Sequence, residues 1–134
     1  MKAVFDTNVL VAALIAEGVC AKLLTRARKH QFHLVTCPSI LEELEHVLRN
    51  KISAGREEVR SAVLLVSAAV QAVVHPVEKV SGVCRDADDH HILACSLEAK
   101  ADYLVTGDLD LLSLGSFRGT QIVTPRQFEM FFED

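Results

Sequence analysis

The sequence predicts an α/β protein of three layers, α/β/α, built on a central parallel sheet. Two observations predict it. Short apolar runs rich in β-formers alternate with helical sequence along the chain, the pattern of successive β-α-β units. Half of the 134 residues are hydrophobic, enough for a substantial core, and no linker, repeat or low-complexity tract breaks the chain, so residues 1–134 read as a single domain.

The first run sets the frame. Residues 2–6 read as a strand with Ala3 to Phe5 buried and Asp6 at its carboxyl edge, where ligands bind in open α/β sheets. Thr7 and Asn8 are good helix starters, because their side-chain oxygens accept from unpaired backbone N–H groups. Helical sequence then runs to about His30, broken near Gly18. Its second part carries Lys22, Arg26 and Lys29 on one face, which reads as a solvated face or as a phosphate-binding stripe.

His33 to Thr36 reads as the second strand. Ser39 then opens a helix, with Ser39-Ile40-Leu41-Glu42 in the form of a capping box. Ile40, Leu41, Leu44, Val47 and Leu48 form its apolar face, and Glu43 and Glu45 flank that face equally. From Glu57 to about Ala72 a helix follows whose part from Ala62 to Ala72 is apolar except for Ser67 and Gln71, so it is deeply buried or lies at an interface, and a homodimer or higher homo-oligomer follows from the second case. Val73 to His75 reads as a brief strand, with His75 an ordinary strand-end residue.

Asp86, Asp88 and Asp89 precede the next helix, whose inner side holds Ile92, Leu93, Ser96 and Ala99. Asp89 stacks above Ile92 and Leu93 on the core-facing stripe. A carboxylate aimed inward needs backbone donors, a cation or a metal. Asp86 is more easily a cap, Asp88 a cap or a ligand, and His90 and His91 point outward. Tyr103 to Thr106 is the clearest later strand, ending in Gly107-Asp108 as Phe5 ends in Asp6. Asp108 also suits the N-cap of a short helix. Gly115 to Gly119 reads as a loop, Gln121 to Thr124 as a last strand, and Pro125 opens a terminal helix.

Charge and motifs narrow the function. A net charge of −4 gives no global basic field to attract nucleic acid. The four cysteines form no C-x-x-C pair and read as reduced, partly buried thiols. No apolar run approaches the ~18 residues that span a bilayer, and no signal segment is visible, so the expectation is a soluble, cytoplasmic protein. Phosphate loops and dinucleotide fingerprints are missing. Asp6, Asp89, Asp108 and a glutamate remain, placed at strand ends or helix starts on one side of a parallel sheet. Four converging carboxylates repel unless a cation neutralises them. Hard oxygen donors with no soft ligand suit Mg²⁺ or Mn²⁺, and such a pocket suits phosphodiester hydrolysis.

Four stretches in this order resemble PIN-domain nucleases, and among them the VapC-like toxins of prokaryotic toxin–antitoxin systems. They are Val4-Phe5-Asp6-Thr7-Asn8-Val9-Leu10, Ser39-Ile40-Leu41-Glu42-Glu43-Leu44, Asp88-Asp89-His90-His91-Ile92-Leu93-Ala94 and Leu104-Val105-Thr106-Gly107-Asp108-Leu109-Asp110-Leu111-Leu112. The resemblance implies a metal-dependent endoribonuclease acting on RNA. It favours Glu43 over Glu45 and matches Asp6, Glu43, Asp89 and Asp108 to the family's metal-binding acids. Asp110 matches an auxiliary acid, and Thr7, Asn8 and Thr106 match supporting positions. It also implies a dimer and a small inhibitory antitoxin.

Three rivals share features. A non-catalytic PIN-like module would bind RNA or protein without cutting. A haloacid-dehalogenase-like phosphatase would need Asp-x-Asp, whereas Asn8 stands two after Asp6. A receiver domain would want paired acids near the first strand.

Overall fold

A computed structural model describes residues 1–83 and 85–132, so Cys84 lies outside the described residues. The order is β1 (Lys2–Phe5), α1 (Thr7–Ile15), α2 (Val19–Arg28), β2 (His33–Thr36), α3 (Pro38–Asn50), α4 (Arg56–Ala69) and β3 (Val70–Val73). A 3₁₀ turn at Ala87–Asp89 leads into α5 (His90–Ala99). Then follow β4 (Tyr103–Val105), α6 (Leu109–Leu112), β5 (Ser116–Phe117), β6 (Thr120–Val123) and α7 (Pro125–Glu129).

The strands form one sheet in the order β3-β2-β1-β4-β6-β5, parallel except for β5. β1 is central: Val4 lies between Val35 of β2 and Leu104 of β4. Ala3, Val4 and Phe5 are all buried, as expected for a parallel strand covered on both faces. From β1 the chain steps outward through α1–α4 to β2 and β3, then returns with α5 to β4 on the other side. Right-handed crossovers therefore place α1–α4 and α5 on opposite faces, giving the α/β/α layers. The reversal of strand order occurs at β1, and its carboxyl end is a topological switch point.

Rings lock one end of the core. Phe128 of α7 meets Phe5 and Phe32 edge-on, at centroid separations of 6.2 and 5.0 Å. These are favourable aromatic geometries. Thr124 caps α7 by accepting from the Gln127 N–H, and the Gln127 side chain accepts from the Thr124 N–H, so the last helix starts as a true capping box.

Three boundaries and one burial pattern differ from expectation. Pro38, with φ already set for a helix, starts α3 at Pro38 with Cys37 as N-cap. Ser39 therefore makes no capping box with Glu42, and its hydroxyl meets His91 Nδ1 and Cys37 Sγ instead. α4 ends at Ala69, because β-branched and small residues from Val70 pair with Leu34 to Thr36 of β2. The loop expected before the last strand contains β5, joined to β6 by a tight turn with φ of 46° at Arg118 and 95° at Gly119. Two positive φ angles are the requirement of the hairpin turn that matches strand twist. Finally, α4 is not apolar-buried all round: Val59, Val66 and Ala69 are buried, but Leu64 is 63% exposed and Leu65 is also exposed.

The break at Gly18 holds, and α1 and α2 meet at 98°. Cys20, Cys37 and Cys95 are free thiols. Among the described residues, no single helix is long and apolar enough to cross a membrane.

Candidate active site

Each acid is delivered by a different element. Asp6 stands one residue past β1, its N–H bound to the Val105 carbonyl at 3.0 Å. Its backbone carbonyl accepts from Val9 while its side chain makes no cap bond, so the carboxylate is free of helix duty. Its Oδ2 accepts a 2.6 Å bond from the Thr106 hydroxyl, and that same hydroxyl accepts from the Asp108 N–H at 3.0 Å. One buried threonine at the end of β4 thus ties the first acid to the last.

Asp108 divides its carboxylate. Oδ1 caps α6, accepting from Asp110 N–H at 2.8 Å and Leu111 N–H at 3.3 Å. The capping expectation was therefore correct, and the group still lines the cleft. Asp86 likewise caps the 3₁₀ turn through the Asp88 N–H. That turn swings Asp89 inward, and its Oδ2 is buried without a hydrogen-bond partner among the described residues. On α3 the tie between glutamates is broken by position: Glu43 lines the cleft, while Glu45 pairs outward with Arg49 at 3.8 Å.

The resulting cleft, about 200 Å³, brings together Asp6, Asn8, Glu43, Asp89 and Asp108. Asp86, Asp88, His91 and Lys51 also line it, along with Val47 and Ile92. Carboxylate oxygens of Asp89, Asp108 and Asp110 lie within 4.8 Å of one another. Thr7 is buried beside Asp6, but it is not part of the lining.

Crowding shows in the acid strengths. Burial chiefly, then the charges of Asp108, Asp6, Asp86 and Asp110, push the Asp89 carboxyl up to about 6. Burial also raises Asp6, opposed by the Thr106 hydrogen bond and reinforced by the charge of Glu43. A divalent cation answers both problems, since it neutralises the repulsion and supplies the orphaned Asp89 oxygen with a partner. The carboxylate donors that converge are hard oxygens, which fits Mg²⁺ or Mn²⁺.

This has a measurable consequence. Because its pKa is raised on folding, Asp89 contributes stability that is complete below about pH 4 and lost as pH rises through about 6. Metal-free protein is expected to melt several degrees higher at pH 5 than at pH 7.5, and Asp89→Asn is expected to flatten much of that slope. Calorimetric scans at both pH values check it. Equal slopes in the two proteins would remove Asp89 as the source.

A family model described as PIN domain matches residues 2–110. The chain belongs to the PIN-domain family. The "uncharacterized protein MJ1680" of Methanocaldococcus jannaschii is 35% identical over 120 residues, covering 85% of this chain and 75% of that protein. Among solved structures, a chain in the crystal structure of VapBC2 from Rickettsia felis bound to a DNA fragment from their promoter superposes with a TM-score of 0.66. That match has 15% identity and covers 92% of this chain and 98% of that one. It speaks for the fold alone.

Within this PIN domain two expectations need correction. Arg26 is not part of an exposed phosphate stripe. It is 4% exposed, its Nε donates to both oxygens of Glu129, and its guanidinium lies 4.7 Å from the Phe132 ring centroid. Lys22 on α2, 3.6 Å from Glu129, and Lys29 just past its end stay exposed, and neither lines the cleft. His91 does not point away from the site. Its direction, outward from the core face of α5, is toward α3, where it meets Ser39 and Glu43. Lys51, also missed, arrives because α3 runs on to Asn50 and carries a cation to the cleft.

Proposed function

We propose that this PIN domain is a metal-dependent endoribonuclease that hydrolyses RNA phosphodiester bonds, and that it is the toxin of a toxin–antitoxin pair. One observation carries the catalytic part: acids from the end of β1, α3, the turn before α5 and the end of β4 line one cleft, with a buried Asp89 oxygen that has no hydrogen-bond partner among the described residues. Asp6, Glu43, Asp89 and Asp108 are the proposed catalytic and metal-holding residues, with Asp110 auxiliary. Bound Mg²⁺ or Mn²⁺ would supply Lewis acidity toward a phosphodiester oxygen and acidify a bound water.

The chain's own groups prepare that chemistry. Thr106 fixes the Asp6 carboxylate, and the cap bonds on Oδ1 of Asp108 fix the orientation of its other oxygen. Asn8 and Lys51 offer polar contacts to a phosphate at the cleft, and Thr7 backs Asp6 from the buried side. Lys22 and Lys29 are proposed as outer phosphate contacts. The fold shared with the VapBC2 chain, together with exposed Leu64 and Leu65 on α4, supports a small antitoxin partner and a homodimer. The proposed setting is the cytoplasm, with residues 1–134 acting as one domain.

Purified protein incubated with a mixed RNA panel in Mg²⁺, Mn²⁺ or EDTA tests the reading. Metal-dependent cleavage that disappears in Asp89→Asn is the expected result. A folded, partner-free protein that neither cleaves nor binds either metal in a calorimeter would sink it, leaving a PIN domain that binds without cutting.

A further inference from the structure

Glu43 is the least constrained of the four acids. It sits in the second turn of α3 with a side chain 40% exposed, and no cap or backbone donor holds it. Its neighbour is His91, whose Nε2 lies 3.6 Å from Glu43 Oε2. That ring is itself anchored: Nδ1 lies 2.8 Å from the Ser39 hydroxyl, and Ser39 in turn touches Cys37 Sγ at 3.2 Å. With hydrogen on Nε2, which suits a facing carboxylate that can only accept, the Ser39 hydroxyl donates to Nδ1. The order is therefore Ser39, His91, Glu43, running from the start of α3 across to α5 and back.

These three side chains have the composition of a hydrolytic triad, but the placement is wrong for one. Ser39 does not line the cleft, and its oxygen is held on the far side of the imidazole from Glu43. His91 does line it. The serine acts as an anchor and the imidazole as a steering group.

We propose that His91 is a positioning residue that turns Glu43 toward the metal, with Ser39 fixing the ring that does so. The proposal rests on the metal-nuclease reading. His91 stands two residues after Asp89, so one helix start supplies an acid to the site and aligns the acid on the facing helix. Partners of this kind, behind a metal ligand, typically alter metal affinity 10–100-fold when removed.

The experiment is Mn²⁺ titration by calorimetry without RNA, on wild type, His91→Leu, His91→Gln, Glu43→Gln and the His91→Leu/Glu43→Gln double variant. Thermal melts confirm that each is folded. His91→Leu should weaken Mn²⁺ at least about tenfold. His91→Gln should stay within about threefold of wild type, since its amide can accept from Ser39 and donate to Glu43. In the Glu43→Gln background the leucine change should add little, because coupled residues are non-additive.

Three results would overturn the positioning role while leaving the metal site intact: unchanged affinity in His91→Leu, no rescue by glutamine, or a full additional loss in the double variant. Failure of folded wild-type protein to bind Mn²⁺ would instead overturn the metal reading, and this proposal with it.

Discussion

Asp6→Asn is expected to reduce metal-dependent RNA cleavage by at least about a thousandfold, because several kcal/mol of charge stabilisation correspond to three or more factors of ten. The substitution keeps the size of the side chain, and asparagine can still accept from the Thr106 hydroxyl that holds Oδ2. Only the charge is removed. Since burial and the neighbouring acids raise the Asp6 carboxyl, the metal-free variant should melt at the wild-type temperature or above it. Cleavage rates in Mn²⁺ beside a thermal melt distinguish lost chemistry from lost fold. Full activity in a folded variant would remove Asp6 from the mechanism.

The second large effect concerns stability. Arg26→Ala should destabilise the protein by about 3 kcal/mol, on the order of 10 °C in melting temperature, because it leaves the mostly buried Glu129 with only the longer contact to exposed Lys22 in place of its close guanidinium partner. The arginine also donates from Nη1 to the Gln31 side chain at 2.7 Å and lies against Phe132, so its loss unpins α7 from α2. The pair Arg26→Met/Glu129→Leu should recover more than half of that loss, since apolar residues of similar volume replace buried ion pairs well. Chemical denaturation of the three proteins decides. A double variant as weak as the single would mean that geometry, not the stranded charge, sets the cost.

The two cases differ in how far they could be read from sequence. Asp6 and Asp108 were legible because each ends a short β-branched or aromatic run and is followed by helix-starting residues, a purely local signal. The layer order followed from the same alternation. Arg26 was not legible: its stripe on α2 reads alike whether solvent or another helix covers it, and Glu129 lies 103 residues away. Glu43 and Glu45 were equivalent on a helical wheel. What separates them is the arrival of α5 against one edge of α3, which local periodicity cannot encode. His91 failed for the same reason, since outward from one helix can be inward to a cleft. Short strands such as β5 depend on a hairpin partner rather than on their own two residues.

The bond between Asp6 and Thr106 spans 100 residues. Its place at the centre of the sheet has a consequence for the time course of synthesis. The first acid emerges almost at once, but its strand lacks one flank until β4 exists, and Asp108 comes later still. At ~5–20 residues per second, translation leaves roughly 5–20 s during which Asp6 has left the ribosome and its partners do not exist. A nascent chain therefore carries no assembled cleft until most of its length has been made.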